Sequence, residues 1–170
     1  ELGYKVHIFT PEHGSPASHV AYKTTVAEYT NSEALQTFAR SVDVVTFEFE
    51  NVPHESLLAL EALKPVRPSA EVLRISRNRI REKSAVKALG IGTAPFWEIR
   101  GSEDLVNGIK ALGLPAILKT AELGYDGKGQ VVIKKPEEAE TAFEKLHHAE
   151  CVLEGLVDFV MEISVIVARG

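Results

Sequence analysis

Cysteine is almost absent: Cys151 is the only one in 170 residues, which excludes an internal disulfide and any multi-cysteine metal site. Lying in the apolar run Cys151-Val152-Leu153, it reads as a buried strand residue rather than a nucleophile, and a chain without disulfides is expected in the cytoplasm. An excess of positive charge is also missing. Nineteen Lys and Arg face 24 Asp and Glu, for a formal charge of −5 and a pI near 5.7. Nucleic acid is therefore disfavoured as the main partner, and any bound anion should be held by local donors. No apolar run approaches the ~18 residues of a membrane helix, so a membrane partner is not expected. There is no initiator methionine, no basic-then-apolar leader, no repeat and no low-complexity tract. Glu1-Leu2-Gly3-Tyr4 reads as the last turn of a helix and Ile163-Ser164-Val165-Ile166-Val167 as an unfinished strand, so both ends read as cut.

What remains is ordinary globular composition, 45% apolar and 25% charged, enough for a sizeable core. Strand-like and helical runs alternate, which predicts an α/β fold. Over residues 1–76, strands at 5–9, 43–49 and around Val66, with helices at 32–40 and from Pro53, predict part of a parallel, Rossmann-like sheet. Helices follow over 69–89, broken near Asn78 and stopped by Gly90. Residues 77–170 then form a second, α+β unit: a strand at 94–99, a helix at 102–112 stopped by Gly113, strands at 116–120 and 130–134, a helix at 136–148, and strands at 151–154 and 162–167.

The chemistry centres on Gly124-Tyr125-Asp126-Gly127-Lys128-Gly129-Gln130, a glycine-rich connection between two strands. Glycines permit positive φ and close backbone approach, so successive amides can line a phosphate-binding concavity, to which Lys128 adds a cation. Taken alone, the loop reads equally well as a solvated hairpin. It is neither a Walker A nor a Rossmann fingerprint, and in protein kinases the strand lysine follows the glycine loop. Here Lys119 precedes the loop, five residues before Gly124. Strand alternation puts it on the face opposite Leu118. Glu154 closes a later strand as Glu154-Gly155-Leu156-Val157, and Glu162 follows eight residues on. Such carboxylates can accept from ribose hydroxyls, although each alone is more often a solvated strand end. His147 and His148 are adjacent, hence ~100° apart on a helix and a poor metal pair. His13 and His19 lack a carboxylate at metal spacing.

The order lysine strand, glycine loop, hinge, second glutamate resembles the ATP-grasp superfamily. Within it, Thr46-Phe47-Glu48-Phe49-Glu50-Asn51-Val52-Pro53, the 124–130 loop and Glu162-Ile163-Ser164-Val165-Ile166-Val167-Ala168-Arg169-Gly170 resemble the 5-(carboxyamino)imidazole ribonucleotide synthetase family, over essentially the whole chain. That resemblance implies a pre-ATP-grasp domain followed by the small ATP-grasp subdomain. It implies ATP contacts at Arg79, Lys119, Gly124, Tyr125, Asp126, Gly127, Lys128, Gly129, Gln130, the hinge residues Glu154, Gly155, Leu156 and Val157, and the ribose-facing Glu162. Glu48, Tyr125 and Asp126 are implied to face the aminoimidazole substrate.

The implied reaction joins bicarbonate to the exocyclic amine of 5-aminoimidazole ribonucleotide and cleaves ATP to ADP and phosphate. Mg2+ is implied as cofactor, its ligands expected beyond Gly170, and a homodimer is implied. No protein nucleophile is required, so no catalytic residue is named. Two alternatives stand beside this reading. One is another ATP-grasp ligase, of the formate-dependent glycinamide ribonucleotide transformylase or biotin carboxylase type. The other is a dinucleotide-binding oxidoreductase domain, with Glu12 as the ribose-binding acid.

Overall fold

The computed structural model describes residues 3–124 and 128–167. The chain divides between Glu82 and Lys83 into two compact units, each with its own apolar core.

In the first unit, β1 (His7–Thr10) pairs in parallel with β2 (Lys23–Val26), His7 opposite Lys23 and Thr10 opposite Val26. Parallel neighbours need a crossover, here through a 3₁₀ turn at Pro16–His19. The Lys23–Val26 strand goes beyond the sequence expectation: Lys-Thr-Thr-Val offers little apolar signal and exists by pairing with β1. The expected strand over 43–49 contracts to a single parallel bridge, Val45 to Val66. Val45 donates to Pro65 O at 2.9 Å and accepts from Arg67 N at 2.8 Å. Pro65 has no N–H to donate, so the ladder does not extend back from Val66.

Helix α1 (Ser32–Arg40) starts where the Asn31 side chain accepts the Ala34 amide at 3.0 Å and buries Leu35, Phe38 and Ala39 at i, i+3 and i+4. These residues pack with Val45 and Val66, with Leu57 and Leu60 of α2 (His54–Glu61), and with Leu73 of α3 (Ala70–Ser76). Pro53 stands just before α2 as its cap, one place earlier than its expected first position. The break expected near Asn78 has a physical cause. Asn78 is buried, and its Oδ1 accepts the amides of Ile80 and Arg81 at 3.1 Å each, ending one helix and opening α4 (Arg79–Ala88).

The second unit is a four-stranded antiparallel sheet of order β3-β6-β4-β5, from β3 (Phe96–Ile99), β4 (Ala116–Thr120), β5 (Gln130–Ile133) and β6 (Cys151–Gly155). Two helices, α5 (Ser102–Leu112) and α6 (Ala139–Lys145), supply the apolar side chains that cover one face. Leu105, Ala142 and Phe143 pack there with Ile99, Leu118, Ile133, Cys151 and Leu153. Burying a side chain such as Phe143 contributes about 1.5–3 kcal/mol. Gly108 lets α5 approach closely, because a Cβ there would lie 3.2 Å from both Leu153 and Trp97.

The helix expected over 136–148 begins as a 3₁₀ turn at Pro136–Glu138 and ends at Lys145. His147 and His148 take φ of 57° and 51°, left-handed values that end a helix, and His148 packs edge-on to Phe143 at 4.8 Å. Residues 162–167 form no strand, because no backbone among the described residues pairs with them. Their β-branched composition supplies propensity without a partner.

Candidate functional site

Antiparallel register sorts the side chains of the second sheet. Ile117 faces Glu154, and Lys119 faces Val152, while Leu118 faces Leu153 and Thr120 faces Cys151. Opposed residues share a face. Since Leu118, Leu153 and Cys151 belong to the core under α5 and α6, Lys119 and Glu154 stand on the other face. Phe96 and Glu98 of β3 and Val132 and Gln130 of β5 extend this face on either side, with Val132 exposed at the β5 end.

On that face Lys119 Nζ donates to Glu154 Oε2 at 2.8 Å, and Lys83 Nζ of α4 lies 3.2 Å from Glu154 Oε1. All three are largely withdrawn from solvent, with side chains 19%, 9% and 16% exposed for Lys119, Glu154 and Lys83. Lys83 Nζ also sits 5.8 Å from the Phe96 ring centroid, the Cα partner of Glu154. Burial pushes the Glu154 carboxyl up, but the hydrogen bond and charge of Lys119, joined by Lys83, outweigh it and hold the group below the usual carboxylate range. Two ammonium groups against one carboxylate leave a surplus of positive charge in a shielded place. An ammonium has three donors, and among the described residues each lysine spends one on Glu154. The cluster can therefore receive an anion.

The β4–β5 connection leaves directly from this row. Thr120 N donates to Gly129 O at 2.8 Å, closing the loop base. Gly129 has φ of 69°, and a Cβ on it would fall 2.6 Å from Thr120 Oγ1, so both the conformation and the space call for glycine. Gly124 is half-buried against Gly129, and Lys128 is exposed. Tyr125, Asp126 and Gly127 lie outside the described residues.

Of the other expected site residues, Gln130 opens β5 as the Cα partner of Lys119, and the Gly155 amide donates to Pro95 O at 2.9 Å. Leu156 and Val157 are exposed just beyond β6. Glu162 is exposed in the unpaired segment and makes no contact with the lysine cluster. Arg79 opens α4, and Glu48 is exposed at a bend; both belong to the first unit. Lys83 was missed by sequence reasoning. Its one signal was spacing, a lysine one helical turn after Arg79.

Comparison with known proteins gives this geometry a lineage. A model of the ATP-grasp domain matches residues 84–170, and a model of the ribonucleotide synthetase preATP-grasp domain matches residues 1–77. The chain belongs to the ATP-grasp family.

This ATP-grasp chain is 48% identical over 144 residues to the N5-carboxyaminoimidazole ribonucleotide synthase of Pseudomonas aeruginosa, covering 85% of the chain and 40% of that protein. It is 40% identical over 170 residues to the Bacillus subtilis protein of the same name, covering 100% of the chain and 45% of that protein. Among solved structures, N5-carboxyaminoimidazole synthetase from Staphylococcus aureus complexed with ADP superposes with a TM-score of 0.86 at 33% identity, covering 92% of this chain and 42% of that one. The chain thus spans less than half the length of these relatives. The α/β expectation holds, with a parallel pair in the preATP-grasp unit and an antiparallel sheet in the ATP-grasp unit. The oxidoreductase alternative is not favoured.

Proposed function

We propose that this chain is the nucleotide-holding part of an N5-carboxyaminoimidazole ribonucleotide synthase, an ATP-dependent ligase of purine biosynthesis. The reaction joins bicarbonate to the exocyclic amine of 5-aminoimidazole ribonucleotide and converts ATP to ADP and phosphate. The observation that carries this reading is the shielded Lys119–Glu154 pair at the root of the glycine loop, on the face of an ATP-grasp sheet opposite α5 and α6. The Pseudomonas and Bacillus relatives bear the synthase name, and the staphylococcal one was solved with ADP.

In this reading Lys119 meets the phosphates and the adjoining adenine edge. Residues 124–130 fold over the phosphates, and Glu154, Gly155, Leu156 and Val157 form the adenine hinge. Glu162 serves the ribose once its segment is in place, Arg79 adds a further nucleotide contact, and Glu48, Tyr125 and Asp126 face the aminoimidazole. ATP activates bicarbonate as carboxyphosphate, and the amine takes the carboxyl group. Catalysis of this kind rests on positioning and on neutralising phosphate charge, which lysines and loop amides supply. Among the described residues no three His, Cys, Asp or Glu side chains gather to hold a metal. These described residues thus offer no ready-made ligand cluster for the magnesium that such a reaction uses. No helix among the described residues is long and apolar enough to cross a membrane. A homodimer in the cytoplasm completes the proposal.

The test is ADP release by the full-length protein, with 5-aminoimidazole ribonucleotide plus bicarbonate in one arm and glycinamide ribonucleotide plus formate in the other. ADP release in the first arm is expected. Activity confined to the second arm overturns the proposal.

A further inference from the structure

We propose that Lys83 is a positioning residue of the nucleotide site, holding Glu154 by Oε1 so that Lys119 touches only Oε2 and keeps two N–H donors for the phosphates of an adenine nucleotide. The inference rests on the nucleotide reading above and adds to it a residue outside the lysine strand, glycine loop and hinge.

Three observations carry it. Glu154 divides its two oxygens between two cations, Oε1 toward Lys83 at 3.2 Å and Oε2 toward Lys119 at 2.8 Å. With Oε1 occupied by Lys83, that oxygen takes no second donor from Lys119. Without Lys83, Glu154 would draw the Lys119 ammonium onto itself and compete with phosphate for its donors.

Second, the cluster is not a closed ion pair. A structural Lys–Glu bridge neutralises itself, whereas two lysines on one carboxylate leave about one positive charge at side chains 16% and 19% exposed. Burial penalises that surplus unless an anion complements it. Third, Lys83 is held from a second side, with Nζ 5.8 Å from the Phe96 ring centroid, and Phe96 pairs with Glu154 across β3 and β6. The ammonium is thus placed by the sheet itself.

The experiment measures ADP binding by titration calorimetry on the full-length protein, as wild type, Lys83→Met, Lys83→Arg, Glu154→Gln and the double variant Lys83→Met with Glu154→Gln. Lys83→Met is expected to weaken ADP binding about tenfold, the scale of one charge-assisted hydrogen bond. Lys83→Arg should bind within about threefold of wild type, since it restores the cation on Oε1. In the Glu154→Gln background the Lys83→Met change should cost less than about twofold, because a positioning effect passes through the carboxylate.

Equal losses in both backgrounds would make Lys83 a direct ligand and overturn the proposal, as would unchanged binding by Lys83→Met. If Lys83→Met does not fold, Lys83→Gln takes its place in the same cycle and is read in the same way. A wild type that does not bind ADP would instead sink the nucleotide reading. A wild type that binds ADP yet fails to carboxylate would sink only the carboxylase assignment, leaving the role of Lys83 to be decided by the variants.

Discussion

Lys119 and Glu154 meet diagonally across two antiparallel strands: Lys119 is paired with Val152 and Glu154 with Ile117, yet Nζ reaches Oε2 at 2.8 Å. The diagonal reach runs back along β4 toward Ile117 and holds the Lys119 ammonium on the sheet face opposite the apolar core.

Lys119→Met in the full-length protein is therefore expected to lower kcat/KM for ATP by about 10- to 100-fold, through loss of a charge-assisted phosphate contact. Stability should change little, because Glu154 keeps Lys83 as its partner. Steady-state kinetics paired with a thermal melt check both halves. Unchanged kinetics would remove Lys119 from the site.

Glu154→Gln should behave in the opposite sense, costing about 1–3 kcal/mol of stability at neutral pH by leaving two shielded lysines without a carboxylate. The wild-type carboxyl is held below its ordinary value in the folded chain, so unfolding takes up a proton in the acid range. Its contribution is present above the unfolded carboxylate pKa of about 4.3 and fades as pH falls through the lower folded value. Melting temperatures of the two proteins should differ at pH 7 and converge as pH falls below the ordinary carboxylate range. A constant gap across that range would contradict the assigned cause.

Gly129→Ala is expected to destabilise by about 1–3 kcal/mol, since the residue takes φ of 69° and its new Cβ would meet Thr120 Oγ1 at 2.6 Å. Adding Thr120→Ala should recover only part of the loss, because it relieves the contact and not the dihedral. Chemical denaturation of the single and double variants separates the two contributions. Full recovery would show that the clash alone matters.

Cys151 should be inert to thiol reagents in the folded protein. It is fully buried in β6, and burial, reinforced by the Glu150 charge, pushes its thiol up to about 11. Maleimide labelling is expected only after denaturation, and rapid labelling of the native protein would contradict the packing described.

Local signals made part of this architecture legible. The bounds of α1, α5 and β4 follow from caps and periodicity, as Asn31 with Leu35, Phe38 and Ala39 shows for α1. Where pairing decides, composition misled. Val44, Thr46 and Phe49 have strand character, yet Val45 makes a single bridge, and Pro65 offers no N–H to extend it backward. Lys-Thr-Thr-Val is too short and polar a run to stand out, yet β1 makes it a strand. Lys119 and Glu154 could be named from their order along the chain, because strand ends and a glycine loop frame them. Lys83 could not, since a lysine on a helix looks solvated until the fold brings a carboxylate to it.

The alternation of β6 has a consequence for how this protein can change. Leu153 faces the core and Glu154 the lysines, so inserting or deleting one residue within β6 would exchange them, seating a carboxylate against Leu118 and offering Lys119 a leucine. The packing of the greasy side thus acts as a parity check on the charged side. Sequence drift can alter individual side chains on either face, but length changes in this strand should arise only in even steps or at its ends.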